Sequence, residues 1–240
     1  MNYDQHPFDI RCEWGAQGVA RLAPVSDAII IVDVLSFSTA VTVAVSRGAR
    51  VYPYKFRDGR QHAYARECDA RLAGPRSTNS VSLSPVSLLD LKAGERIVLP
   101  SPNGATLSLA TGHTPTFAGC LRNAHVVARA AMVCGPRVSV IAAGERWQEG
   151  NSLRIAYEDM LGAGAILRHL PGQRSPEASA AIAVFEQAAT NLKKMLHTCN
   201  SGQELIQRGF SQDVDIAAQL EADDVAPRLM DGAYTNASKV

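Results

Sequence analysis

An unbroken apolar run over residues 28–34, ending Val32-Asp33-Val34, lacks polar alternation and so predicts a strand covered on both faces. Residues 38–47 follow with small and β-branched side chains and stop at Gly48, a natural position just beyond a helix end; residues 49–54 then resume as a strand. Together these segments read as a βαβ unit. Residues 58–72, rich in Ala, Arg and Glu, predict a helix, whereas 74–87 are dense in Ser, Pro and Gly and read as a surface loop. Short strands are expected at 96–99, 114–118 and 137–142, with a helix over 124–133 and a polar loop over 144–151. Residues 152–170 read as a helix whose Gly162-Ala163-Gly164-Ala165 face allows close approach to a sheet. Ser175-Pro176-Glu177 combines a capping Ser, a Pro at the first helical position and an acid in the first turn, and starts a helix expected to reach about residue 196. Two short helices are expected at 201–208 and 212–220, and the polar tail beyond Asp223 reads as a C-terminal extension, 223–240, docked or frayed.

The repeated order of strand, polar loop and helix predicts a layered α/β/α fold with a mainly parallel sheet, and the default is a single domain over residues 1–240. Four loops follow buried strands: Asp33 to Thr39, Ser101 to Gly104, Cys120 to Asn123, and Ala143 to Trp147. If the strands are parallel neighbours, these loops share one edge of the sheet, where open α/β folds place ligands and helix N-termini present N–H groups to anions.

Composition narrows the function classes. With 46% hydrophobic and 20% charged residues the chain is of ordinary globular type, and a formal charge of +1 with dispersed Lys and Arg gives no footprint of a nucleic-acid or anionic-membrane binder. The N-terminus lacks a basic segment followed by an apolar run and no stretch has the length of a membrane span, so a cytoplasmic location is expected. Five scattered cysteines without a CxxC pair argue for reduced thiols rather than a disulfide framework or structural zinc.

The chemistry concentrates on the four loops. Asp33 ends the first predicted strand, where a buried carboxylate needs a cation or donors, or else simply caps the next helix. Ser36, Ser38 and Thr39 crowd beside it at a helix start, where phosphate oxygens find N–H and O–H donors, although any one of them has an ordinary capping explanation. Asn103-Gly104 is a plain turn raised in interest by its placement, and Arg122, beside Asn123, offers a planar fork suited to a phosphoryl group. Glu145, Glu158 and Asp159 bring further carboxylates; with Asp33 they form a candidate ligand set for a Mg²⁺ that keeps several waters. Since Glu158 and Asp159 differ by one helical step, only one is expected to face the site. No GxSxG elbow, GxxxxGK[ST] loop, GxGxxG fingerprint or HExxH site is present, and Leu35 stands where a haloacid-dehalogenase-like phosphatase needs its second Asp.

Taken in order, Val32-Asp33-Val34-Leu35 with Ser38-Thr39, Pro102-Asn103-Gly104, Leu121-Arg122-Asn123, Ala143-Gly144-Glu145, Glu158-Asp159 with Gly162-Ala163-Gly164, and Ser201-Gly202 with Asp213-Val214 resemble the 2-phosphosulfolactate phosphatase family. The resemblance implies an α/β fold of that family's own type, one active site and magnesium-dependent hydrolysis of a phosphate monoester beside a carboxylate and a sulfonate, as in coenzyme M biosynthesis. On this reading Asp33, Arg122 and Glu145 are catalytic; Ser36, Ser38, Thr39, Asn103, Gly104 and Asn123 bind substrate; and Asp33, Glu145, Glu158 and Asp159 hold the metal. The attacking group is either water or a carboxylate. The expected partner is a small anionic phosphate, with no nucleic acid or membrane, and a homo-oligomer is compatible with the sequence. A non-catalytic anion-binding protein and a phosphoryl transferase are the alternatives. The family commonly carries an Arg after Asp-Val-Leu; this chain has Ser36, and Arg122, Arg146 and Arg154 are the nearest candidates to replace that cation.

Overall fold

Residues 28–32 are all buried and form a strand with parallel neighbours on both sides, as their uninterrupted apolar character requires. The computed structural model describes residues 3–55, 58–77, 80–150 and 152–237. Its strands are β1 (Ile10–Trp14), β2 (Ala28–Val32), β3 (Arg50–Tyr54), β4 (Arg71–Leu72), β5 (Arg96–Pro100), β6 (Thr116–Gly119), β7 (Val138–Ala142), β8 (Glu145–Arg146), β9 (Leu153–Arg154), β10 (Pro227–Met230) and β11 (Ala233–Asn236). The α-helices are α1 (Gly15–Leu22), α2 (Phe37–Ser46), α3 (Gln61–Glu67), α4 (Gly104–Ser108), α5 (Ala124–Met132), α6 (Tyr157–Leu167), α7 (Pro176–Ala188), α8 (Leu192–Thr198), α9 (Asn200–Gln207) and α10 (Ser211–Ala217).

The main sheet runs β1-β7-β2-β6-β10-β11-β3-β5-β4. Side chains of β2 alternate between its faces. Ile30 and Val32 pack into a core shared with α5, α6 and α7, while Ile29 and Ile31 join Val19 and Leu22 of α1 and Leu107 of α4 on the other face. This is the expected layered α/β/α arrangement. The parallel-neighbour assumption holds for β2, β6 and β7, but not for β5. Three successive antiparallel pairings, β6 with β10, β10 with β11 and β11 with β3, reverse the sense, so β3, β5 and β4 form a second parallel group running opposite to the first.

The reversal comes from the C-terminal residues. Of the expected extension 223–240, the described part is docked rather than frayed: it supplies β10 and β11, inserted between the two parallel groups, and residues 238–240 lie outside the described residues. Tyr234 is fully buried, stacks edge-on to Phe37 and donates its hydroxyl to Ser108 Oγ at 2.7 Å. The turn is Asp231-Gly232, both at positive φ, a two-residue hairpin signal that the sequence does contain.

Other boundaries also differ. The helix expected over 58–72 is the shorter α3, followed by edge strand β4. The 144–151 loop and the start of the 152–170 helix instead form the antiparallel pair β8–β9, with α6 beginning only at Tyr157; Asn151 lies outside the described residues. The helix starting at Ser175, whose Oγ accepts from Ala178 N, breaks after Ala188 at Thr190-Asn191, both poor helix formers, before α8. The 74–87 segment is partly interior, with Val81, Ser82 and Ser84 buried. Among the described residues no helix is long and apolar enough to cross a membrane, and all five cysteines are free thiols.

Candidate active site

The chain after β2 turns sharply into α2, and Asp33 governs that turn: its Oδ1 accepts from Phe37 N at 3.1 Å and its backbone oxygen from Ser38 N at 2.8 Å. It therefore does cap the helix. Its second oxygen does more. Oδ2 accepts from Gly104 N at 2.8 Å, pulling the β5–α4 loop onto the end of β2 although β5 belongs to the opposite parallel group. Gly104 is required there because an added Cβ would lie 2.8 Å from Asp33 Oδ2 and inside the Phe37 ring's contact distance.

The second acid is delivered by α6. Gly162 lets that helix approach β2 so closely that an added Cβ would sit 2.6 Å from Val34 Cγ2. The first turn of α6 then brings in Glu158 and Asp159, both buried, where the helix N-terminus favours negative charge. The expectation that only one faces inward is corrected: both charges act on Asp33's neighbourhood. Their roles differ, however. Asp159 Oδ1 accepts from Val34 N at 2.7 Å and Oδ2 from Gly144 N at 2.9 Å, so it ties the loop after β2 to the loop after β7. Glu158 instead lies near Cys199, whose thiol is pushed up to about 12 by burial and then by the Glu158 charge.

Glu145, in β8, completes the acidic cluster. Its Oε2 accepts from Asn103 Nδ2 at 3.0 Å, and it faces Arg154 across the β8–β9 pair. Burial, then the charge of Asp33, push the Glu145 carboxyl up to about 7, with Asn103 and Arg154 pulling the other way. Burial likewise raises Asp33 and Asp159, the latter well above the carboxylate range with Asp33 and Glu158 adding to the effect. Beside Glu145 a cavity of about 290 Å³ opens, lined by Asn103, Gly144, Arg146 and Leu153 among others.

The raised Glu145 pKa has a definite consequence for stability. Between its unfolded value of 4.5 and its folded value near 7 the native state holds more protons than the unfolded chain, so stability falls as pH rises through that window. Glu145→Gln should flatten this slope, recovering about 1–2 kcal/mol at pH 8 relative to pH 5 after allowance for residual solvation. Urea unfolding of both proteins at the two pH values, without divalent ions, measures it; parallel slopes would show that Glu145 ionises normally in the fold.

Several expected site residues are occupied elsewhere. Ser38 Oγ donates to Asp33 O at 2.8 Å and accepts from Asp33 N at 2.9 Å, while Thr39 Oγ1 donates to Val34 O at 2.7 Å; these hydroxyls brace the turn rather than point outward. Arg122 is buried but turned toward the C-terminal segment, with Nε 2.6 Å from Asp223 Oδ2 and Nη1 3.0 Å from Ile216 O. Asn123 is fully buried, accepting from Cys120 N and donating to Ala118 O and Val225 O. Arg122 and Asn123 thus fasten the chain before β10 to the end of β6, a structural use that strand-end position alone does not distinguish from ligand binding.

One of the cations that reach the crevice was not among the expected ones. Arg76, from the 74–87 segment, donates from Nη2 to Ser36 Oγ at 2.8 Å, pairs through Nη1 with buried Asp213, and lies near enough to Asp33 to stabilise its charge. Its partners are 40 and 137 positions away, and a lone Arg in a Ser- and Pro-rich stretch carries no local signal. Arg154, by contrast, was a sequence candidate and stands beside Glu145, 3.5 Å from Ser201 Oγ and over the Trp147 ring.

A layered α/β protein with an acidic crevice bordered by two arginines, built from strand-end loops and a helix N-terminus, is the class this geometry defines. The 2-phosphosulpholactate phosphatase family model matches residues 19–232. The chain is 32% identical to a probable 2-phosphosulfolactate phosphatase of Carboxydothermus hydrogenoformans, over 83% of this chain and 85% of that protein. It is 30% identical to one of Gloeobacter violaceus (84% and 88% covered) and 26% identical to the 2-phosphosulfolactate phosphatase of Methanothermobacter thermautotrophicus (86% and 88%). The chain belongs to the 2-phosphosulpholactate phosphatase family, and with it to the hydrolases of phosphoric monoesters.

Proposed function

We propose that the chain hydrolyses 2-phosphosulfolactate to sulfolactate and phosphate in the Asp33 crevice, with Mg²⁺ as cofactor. The observation that carries this reading is the convergence of Asp33, Glu145, Glu158 and Asp159 on one another with Arg76 and Arg154 beside them. Asp33, Glu145 and Asp159 are crowded until their ionisation is opposed, and such a cluster is a poor receiver of an anionic substrate unless a cation joins it.

The donor chemistry fits magnesium: every group is a hard carboxylate oxygen. Among the described residues no three His, Cys, Asp or Glu are placed to hold a metal together, so the fit is to an ion that takes one or two carboxylates and keeps its waters. Glu158, which takes no backbone N–H among the described residues, suits that task best. Asp33 and Asp159 each have both oxygens accepting backbone N–H groups from two loops, so either one meets an ion only through a second lone pair. When bound, the ion supplies charge neutralisation and polarisation of the phosphoryl oxygens.

The remaining steps fall to this chain's side chains. Arg154 and Arg76 orient the anionic groups of the substrate, their planar forks matching phosphoryl, sulfonyl and carboxylate oxygens. Glu145, held by Asn103, is placed to take a proton from the attacking water; beside a cation its carboxyl ionises more readily than the value near 7 indicates. Water is favoured over a carboxylate nucleophile because Asp33 has each oxygen committed to a backbone donor.

Phosphate release from 2-phosphosulfolactate after exhaustive chelation should fall by about two orders of magnitude or more and return with added Mg²⁺. Full activity in protein confirmed to be metal-free would refute the magnesium part of this reading, and absence of turnover with Mg²⁺ present would refute the substrate.

A further inference from the structure

Arg76 joins the acidic crevice to a second cavity. It touches Ser36, three residues from Asp33, and it also lines a cavity of about 440 Å³ bounded by Ser84, Ser87, Phe210 and Asp213. That cavity is otherwise unaccounted for. The guanidinium is held with unusual care for a residue on a Ser-rich loop. Asp213, 1% exposed, pairs with it while accepting from Ser84 Oγ and, at 3.4 Å, from Val86 N, and the Phe210 ring lies under Arg76 Cζ at 5.6 Å. Burial of Arg76 opposes its charge, and Asp213 offsets that cost.

Among the described residues the guanidinium has two side-chain acceptors, and they are unequal: on one side Asp213 balances its charge, on the other a neutral hydroxyl, Ser36 Oγ, accepts from it. An anionic oxygen is a better acceptor than a hydroxyl for the same N–H, so an anion arriving at Ser36 displaces the hydroxyl, which is then free to donate to the anion as well. Arg122 cannot serve there because Asp223 and Ile216 O hold it elsewhere, and Arg154 lies on the Glu145 side.

We propose that Arg76 is the specificity-determining residue of the site: it binds the anionic group of the substrate remote from the phosphoryl group, with Asp213 as the positioning residue that holds its fork toward Ser36. This rests on the phosphatase reading for its substrate, and on the Arg76–Ser36 and Arg76–Asp213 contacts for its geometry. It follows that the chain selects monoesters carrying a second anion over those that lack one.

The test uses Arg76→Gln/Asp213→Asn in one chain, because removing the arginine alone strands a buried carboxylate and threatens folding. With Mg²⁺ present, the double variant should lose at least about tenfold more kcat/KM on 2-phosphosulfolactate, chiefly through KM, than on phenyl phosphate, which has no second anion. Arg76→Lys, which keeps the charge but loses the fork, should fall between the two. Equal effects on both substrates, or on neither, would overturn the proposal. Calorimetric titration with sulfolactate separates this failure from that of the phosphatase reading. If the wild type turns over neither ester but binds sulfolactate at least about tenfold more tightly than the double variant, only the phosphatase reading is lost. If the wild type does not bind sulfolactate, or the double variant binds it as well, the Arg76 proposal is lost.

Discussion

Asp33→Ala is expected to lower kcat/KM by about three orders of magnitude while leaving the fold intact, because a charge-stabilising group in a buried site carries about 10²–10³ by itself and Asp33 also aligns the loop that holds Glu145. The stability cost is only partly offset. Losing the carboxylate leaves Phe37 N and Gly104 N without their acceptor, a cost of about 1–3 kcal/mol each, yet it also removes an anion whose ionisation burial and Glu158 already oppose. Asp33→Asn separates the two contributions. Its single oxygen can accept from only one of the two N–H groups, and its NH₂ group faces the other donor, so the loop after β5 should loosen while the charge is lost. Phosphate-release kinetics and urea unfolding on both variants read these effects independently. An Asp33→Asn enzyme within about tenfold of wild type would show that the negative charge at the end of β2 is not what the reaction uses.

The parts of the fold legible in the sequence are those fixed by local pattern. The 28–34 run, the Gly48 stop and the Ser175-Pro176-Glu177 start are signals of burial, left-handed backbone and capping, and each lies within two residues of the observed boundary. What escaped is long-range. Whether residues 227–236 fray or enter the sheet depends on Tyr234 finding Phe37 and Ser108, 197 and 126 positions away, and Asp231-Gly232 indicates a hairpin without saying where it docks. The same division runs through the site. Asp33, Glu145, Glu158 and Asp159 were visible because strand ends and a helix start concentrate chemistry in α/β folds. Arg122 shares that position but serves the C-terminal segment, and Arg76 lacks it but reaches the crevice, since ion-pair partners are set by tertiary packing.

Family membership and the geometry of the crevice bear on different questions. Membership fixes the reaction class across most of the chain. The crevice distributes the work: Asp159 joins loops, Asn103 aims Glu145, and Asp213 aims Arg76. An acid that holds two backbone donors and an acid that holds none among the described residues stand side by side in sequence, so neighbouring residues need opposite tests.

Glu158 and Asp159 make that contrast measurable. Asp159→Ala should destabilise the protein by about 2–5 kcal/mol, since Val34 N and Gly144 N both lose their acceptor in the interior and each stranded donor costs about 1–3 kcal/mol, less some relief of repulsion with Asp33 and Glu158. Activity lost in this variant should recover in part at low temperature, where more of the chain is folded, and Asp159→Asn should be intermediate because one oxygen can still accept. Glu158→Gln is expected to behave in the opposite way. It removes a charge that raises its acidic neighbours without removing an acceptor of a backbone N–H among the described residues, so thermal stability should hold or rise while phosphate release falls by about 10² or more at limiting Mg²⁺. Thermal melts and metal-dependence curves for the three variants give the decision. If Glu158→Gln retains wild-type activity and Mg²⁺ dependence while Asp159→Asn alone loses both at unchanged stability, the roles are exchanged, and Asp159 is the residue that meets the ion.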